Sequence, residues 1–412
     1  METTYIIIIL SMLLGKYALD TAANVLNLKT LLPSPPADLS DIYDSERYKK
    51  SQEYTAVNTR FGFVSSAFDL GILLIFWYFG GFGLLDAILR SWNMPYLVIG
   101  LLYVGVLTFA MQIVSLPFSF YHTFVIEERF GFNKTTYKTF ILDRLKAATL
   151  TIVIGGFVLG VILALFRAGG DTGWLWAWFF ASAVSVFLTF ISPNIIMPLF
   201  LKFTPLEDGE LKDRIYELAR KLEFPLAGIY VIDGSRRSTK ANAFFAGFGK
   251  HKRIALFDTL LSNQTVPELV AVLGHEIGHY KKRHTLIGTA TGILELGLMF
   301  FIFSFFLDDP ALFKAFGVMT PSVYSGLVFF TFLYTLAAAA LSVFRNILSR
   351  SFEYEADAFS AHAGGNSQDL ISGLKKLSRD NLSNLTPHPF YVFLNYSHPP
   401  LKDRIAALKR IS

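Results

Sequence analysis

Long apolar runs broken by short polar connections set the pattern of this chain. They fall near residues 3–24, 64–90, 96–121, 147–168, 173–200, 285–307 and 322–345. Each approaches or exceeds the roughly 20 residues that a helix needs to cross a bilayer. The pattern predicts about seven transmembrane helices. Lys16 and Asp20 interrupt the first run, close enough to its end to snorkel toward the membrane surface. That run lacks a basic leading segment and a small-residue cleavage site, so it reads as a retained helix.

Two hydrophilic stretches stand apart from the runs, 201–284 and 346–412. In the first, residues 208–222 have the alternation of an amphipathic helix. Three strand-like runs follow, Gly228–Ile232, Asn242–Ala246 and Arg253–Phe257, punctuated by glycines and basic turn residues. Thr265, Pro267 and Glu268 then form a capped helix start, and the helix is expected to run through 284. The expected division is 1–200 for the first five membrane helices, 201–284 for a polar α+β region, 285–345 for helices six and seven, and 346–412 for the rest of that region.

Composition agrees with a membrane solvent: 53% of residues are hydrophobic and only 17% charged, against about 25% charged in soluble domains. The net charge of +5 is spread over connections and comes with no nucleic-acid motif, so no nucleic-acid partner is expected. Its placement sets the topology instead. One side receives Lys29, Arg47, Lys49, Lys50, Arg60, Arg129, Lys134, Lys138, Arg144 and Lys146, and the other only Arg90, Arg167 and Lys314. The basic side faces the cytoplasm, which puts the N-terminus outside and both hydrophilic stretches inside. The absence of cysteine excludes disulfides and thiolate metal sites, leaving histidine and carboxylate as metal ligands.

The string Leu273-Gly-His-Glu-Ile-Gly-His279 supplies that chemistry. Residues four apart share a helix face, so His275 and His279 can present both imidazoles to one ion. Glu276 can then reach the water that a metal activates, take its proton and pass it to the leaving amine. The bland alternative is two histidines packed on a helix at the membrane surface. A catalytic zinc needs a third protein ligand and one open position, and no third histidine follows in the extended spacing, where Thr285 stands. On a helix continuing from the seventh run, Asn346, Arg350, Glu353 and Asp357 line one face, and Glu355 points roughly 160° away. Glu353 is the expected third ligand, and Asp357 a carboxylate that accepts a hydrogen bond from a ligand imidazole. Periodicity alone leaves open a solvated face of i,i+4 pairs.

The HEIGH string, followed by SRSFEYEADAF, closely resembles the CAAX prenyl protease type 1 family of multispanning zinc endopeptidases. Further similar segments are FVIEERFGFNKTT (124–136), Ser192-Pro-Asn194 to Pro198-Leu199, residues 241–261 and HPPLKDRI (398–405). The resemblance implies a mainly α membrane protein whose seven helices enclose a chamber, with a small α+β zinc-peptidase domain at one end. It implies one Zn²⁺ per chain on His275, His279 and Glu353, with Glu276 as base. His398 looks like a donor to the tetrahedral oxyanion, with Arg404 supporting it or pairing with a carboxylate. Asn242, Ala243 and Phe244 read from their residues as either an ordinary core strand or a strand edge that holds an extended substrate by main-chain hydrogen bonds, and the resemblance favours the edge. His284 and His362 read as structural. Asp69, Asp86 and Glu295 within the runs either line a chamber or pair internally.

Helical arithmetic puts the zinc roughly 10 Å beyond the membrane boundary, with both ligand helices as extensions of spans. That height favours substrates tethered to the bilayer, and the resemblance implies polypeptides with a prenylated C-terminal cysteine. The alternatives are a quality-control peptidase of membrane proteins and a seven-span receptor or transporter with a structural zinc. Short loops and absent cysteine point toward a bacterial inner membrane rather than the ER membrane.

Overall fold

The protein is described by a computed structural model covering residues 1–246, 252–363 and 366–411, with the side chains of 38 and 244–246 outside the description. Its first half is helical: α1 Glu2–Lys29, α2 Ser45–Tyr78, α3 Gly81–Ser91, α4 Tyr96–Tyr121, α5 Tyr137–Leu150, α6 Gly156–Ala168 and α7 Gly173–Ile191. A π turn at His122–Glu127 extends α4, and another at Thr151–Gly155 joins α5 to α6. The expected run 64–90 is split, because Gly80 adopts φ 69° and ends α2, a backbone state that glycine enters without steric cost. The 34 residues of α2 reach about 50 Å, longer than the roughly 30 Å hydrocarbon core. Its N-terminal turns therefore stand outside the membrane.

The polar stretch folds as α8 Glu210–Lys221 and a sheet of β1 Phe203–Pro205, β2 Leu226–Ile232, β3 Ala243–Ala246 and β4 Lys252–Phe257. The strand order is β1-β2-β4-β3, with β2 and β4 parallel and the outer pairs antiparallel. The three expected strands are present, and β1 is added at one edge. After α9 Asp258–Asn263 comes α10 Val266–Lys281, the helix of the HEIGH string. It ends three residues before the expected 284. Arg283 takes φ 60°, and a separate helix, α11 His284–Ser304, begins beyond it. The expectation that this ligand helix simply continues a span is corrected: a tight turn divides them.

The chain then forms α12 Pro310–Lys314, α13 Val323–Leu333, α14 Thr335–Ala363, α15 Ser367–Asp380, α16 Pro389–Asn395 and α17 Leu401–Ile411. Six helices among the described residues are long and apolar enough to cross a membrane, and a seventh is reached when α13 and α14, bent by 62° where they join, are taken as one span. The bend falls within the expected seventh run. The 29-residue α14 continues well past the apolar run into the polar region, as expected for the helix carrying Glu353. Within the expected apolar runs, Asp86 on α3 pairs with Arg90 at 2.7 Å and accepts from Tyr324 Oη at 2.7 Å, and Glu295 pairs with Arg345. Both take the internal-pairing alternative.

Helix α10 is the centre of the polar part. One face packs with Ile215, Ile229, Ile254, Leu256 and Leu260 around Leu269, Leu273 and Ile277, while Ala271 packs with α15, α17 and the N-terminal part of α2. Its start has the expected capping box of Thr265 and Glu268. The buried Glu268 carboxylate also accepts from Ser372 Oγ at 2.6 Å and Lys376 Nζ at 2.7 Å on α15. Burial raises the Glu268 carboxyl, but Lys376, Ser372 and the Thr265 amide outweigh it and hold the group below the ordinary glutamate range. A depressed folded value stabilises the fold fully above the unfolded value, and this contribution is lost as pH falls through the folded value. Glu268→Gln should cost about 1.5–3 kcal/mol at neutral pH. Thermal unfolding of both proteins between pH 7 and pH 3 should show the difference shrinking toward the acid end.

Candidate metal centre

The second helix of the site, α14, lies against α10 because the HEIGH string carries glycines on the contact face. A Cβ on Gly278 would lie 3.1 Å from Ala356 Cα, and one on Gly274 would lie 2.9 Å from Ser360 Oγ. Ser360 Oγ donates to Ala271 O at 2.7 Å, locking the pair. This approach brings Glu353, one turn before Ala356, to the two imidazoles. His275 Nε2 and His279 Nε2 are 3.1 Å apart. Glu353 places one oxygen 3.5 Å from the first and the other 3.3 Å from the second.

Ligand atoms of these three residues all lie within 4.8 Å of one another. Glu353 Oε2 is buried and has no hydrogen-bond partner, and two imidazole nitrogens face each other with the carboxylate beside both. The donor set fits a divalent metal, since two imidazoles and one carboxylate are an open catalytic ligand set. Among the described residues no fourth ligand joins the cluster, as a closed structural site would require.

Carboxylate and guanidinium support stand behind the cluster. His275 Nδ1 lies 2.8 Å from Asp357 Oδ1. Arg404 grips Asp357 with Nε at 2.8 Å and Nη2 at 2.6 Å, and its Nη1 lies 3.3 Å from Glu353 Oε2. Arg404 thus takes the carboxylate-pairing alternative. Burial pushes the His275 imidazole down, but Asp357 and Glu353 more than offset it and raise it to about 9. Burial raises the Glu276 carboxyl above its ordinary value, with His275 and His279 pulling it back. His398 is placed beside the cluster, Nε2 3.4 Å from Glu353 Oε1 and Nδ1 3.0 Å from Ser397 Oγ. Its ring is exposed on one side, and lost hydration on the side that faces the cluster lowers its pKa, although Glu353 pulls the other way.

The strand Asn242-Ala243-Phe244 lies at the sheet edge, since β3 pairs only with β4. Phe257 N donates to Asn242 O, so the alternation of an antiparallel ladder turns the peptide groups of Ala243 and Phe245 toward the free edge. The side chain of Asn242 accepts from the Ala243 N–H at 2.8 Å. The Phe244 side chain lies outside the described residues.

Several neighbours escaped the sequence reading. Lys240, ahead of the edge strand, bonds Glu127 and Tyr54 at 2.8 Å each, tying β3 to α2 and the α4 extension. Asn381 bonds both N and O of Ala241. His284, read from sequence as structural, lies 3.0 Å from His279. Only proximity to the HEIGH string signalled it, and residue count alone does not give direction after a turn. His362 is exposed and bonds its own helix at Ala358 O.

A clustered His-His-Glu set, a half-buried glutamate beside it and a bundle of apolar helices define an integral-membrane metallopeptidase. Residues 24–202 match the family described as CAAX prenyl protease N-terminal, five membrane helices, and residues 205–412 match peptidase family M48. The chain is 37% identical to the probable CAAX prenyl protease 1 of Schizosaccharomyces pombe, over 98% of this chain and 88% of that one. It is 35% identical to the human CAAX prenyl protease 1 homolog, over 92% and 90%. The crystal structure of S. mikatae Ste24p superposes with a TM-score of 0.93 at 34% identity, covering 98% of this chain and 99% of that one. The chain belongs to the CAAX prenyl protease 1 family.

A metal held by His275 would compete with a proton there, because Asp357 and Glu353 raise the imidazole above its ordinary value. Apparent metal affinity, measured by chelator competition, should weaken by up to tenfold per unit as pH falls below about 9. At pH 9, where this competition fades, Asp357→Asn should weaken binding about 10–100-fold through lost orientation of His275. Unchanged affinity would remove Asp357 from the site.

Proposed function

We propose that this enzyme is a zinc-dependent endopeptidase acting on membrane-tethered, C-terminally prenylated polypeptides, with His275, His279 and Glu353 holding the zinc. The observation that carries the reading is the buried Glu353 carboxylate, its Oε2 without a hydrogen-bond partner, set beside two adjoining imidazole nitrogens. When bound, zinc polarises the scissile carbonyl and acidifies the attacking water. Glu276 takes the proton from that water and returns it to the departing amine, a task suited to a carboxyl raised above its ordinary value. The Ser397 hydroxyl can donate to His398 Nδ1, which leaves Nε2 protonated and free to donate to the oxyanion. Arg404 and Asp357 hold His275 in place. The free edge of β3 at Ala243 and Phe245 aligns an extended substrate by strand addition, once the Asn242 side chain yields its bond to Ala243.

Names of the relatives support the substrate class, and the α14 geometry supports tethering. Glu353 sits eight residues beyond the end of the apolar run at 345, about 12 Å along the helix, within reach of a chain anchored in the lipid. The charge bias supports a cytoplasmic peptidase region, with residues 1–200 and 285–345 as membrane parts and 201–284 and 346–412 as the two parts of that region. The relatives named above are eukaryotic, which favours an internal eukaryotic membrane such as the ER over the bacterial membrane suggested by loop length.

Glu276→Gln should retain the metal while lowering cleavage of a prenylated peptide about 10²–10⁴-fold. His398→Ala should lower kcat about 10²–10³-fold with metal content intact. A Gln variant that cleaves at the native rate would sink the mechanism. Equal turnover of unprenylated peptide or misfolded membrane protein would redirect the substrate class. A single cysteine introduced at Asp208 should label from the cytoplasmic side in sealed vesicles; labelling from the opposite side reverses the topology.

A further inference from the structure

The two proposed imidazole ligands have different backing. His275 is held by Asp357 and Arg404, both in the polar part of the molecule. His279 turns Nδ1 instead to His284 Nδ1, at 3.0 Å. The far nitrogen of His284 lies 3.4 Å from Glu355 Oε2, and its ring stacks on Phe352 with centroids 4.1 Å apart and planes within 9°. His284 is 5% exposed, so this ring has one orientation and few partners.

Proton bookkeeping makes the contact directional. With Nε2 of His279 facing the ligand cluster through its lone pair, the His279 proton sits on Nδ1. It is donated to His284, whose Nδ1 must then carry the lone pair. The proton of neutral His284 therefore sits on Nε2, the nitrogen that faces the Glu355 carboxylate. Each acceptor thus fixes the tautomer of the ring before it.

The location matters as much as the bond. His284 is the first residue of α11, a membrane span, and follows Arg283 in its left-handed turn. Phe352 and Glu355 belong to α14. One metal ligand is thereby oriented from the polar domain and the other from the point where two membrane helices emerge.

We propose that His284 is a positioning residue of the metal centre, fixing the tautomer and ring orientation of His279, and that Glu355 fixes His284 in turn. The proposal rests on the reading of His279 as a metal ligand.

The test compares His284→Phe, which keeps an aromatic ring against Phe352 but offers no acceptor, with His284→Asn, whose side-chain oxygen can replace Nδ1. Zinc affinity is read by chelator competition, and Co²⁺-loaded protein is read by its d–d absorption. The Phe variant should bind zinc about 10–100-fold more weakly and shift the Co²⁺ bands, while Asn restores affinity to within a few-fold. Glu355→Gln, at a half-exposed position that tolerates change, should weaken zinc by a smaller factor in the same direction. If the Phe variant does not fold, the Asn and Gln variants carry the same comparison. Native zinc affinity and unchanged Co²⁺ bands in the Phe variant, or in Glu355→Gln where Phe fails, overturn the proposal. His279→Ala and Glu353→Ala separate the two claims: both should lose the metal. If they keep it, the ligand assignment falls; if they lose it and the His284 variants do not, only the positioning role falls.

Discussion

The position of the Glu353 carboxylate depends on how closely α14 can lie against α10. Gly274 and Gly278 occupy the contact face, where a side chain would meet Ser360 and Ala356. Only that spacing lets one carboxylate span two imidazoles from a different helix. The buried charge would be costly alone. Arg404 and the imidazoles surround it, and the oxygen left without a hydrogen bond is the position at which a cation would complete the balance.

Arg404 is pivotal for the same reason. It makes two short bonds to Asp357 and lies against Glu353, so one cation serves both carboxylates behind and within the cluster. Partners of a buried charge are coupled: removing one leaves the others unpaired at several times the cost of a surface pair. The C-terminal helix α17 thus reaches the proposed site through Arg404, the residue that the HPPLKDRI string singles out.

Periodicity exposed what depends on one element at a time. The spans, the three expected strands, the capping box at Thr265 and the shared face of Glu353 and Asp357 follow from lengths and periods of 20, 2 and 3.6 residues. The family resemblance, already visible in HEIGH and SRSFEYEADAF, is borne out by the comparisons. What escaped depends on turns and on meetings between elements. A left-handed residue at 283 ended α10 early, and an arginine there carries no conformational signal of the kind a glycine gives. That turn redirected His284 toward His279. Glu355, correctly placed off the ligand face of α14, found a partner because another helix begins beside it. The Lys240–Glu127–Tyr54 node likewise joins three stretches that no local pattern links.

The two halves of the chemistry are referenced to different parts of the molecule. The proposed ligands sit on α10 and α14, packed face to face. The proposed substrate edge is instead fixed at its base by Lys240, through Glu127 on the π-turn extension of α4 and Tyr54 on α2, and by Asn381 at the end of α15. A π turn inserts an extra residue and re-aims the side chains after it, here bringing Glu127 to the strand. Since α2 and α4 are also spans, the height of the substrate edge above the bilayer is set by the same helices that meet the lipid. The proposed edge and the proposed ligands are held beside one another by the core that packs β4 against α10, while Lys240 and Asn381 tie the base of that edge to the helices behind it.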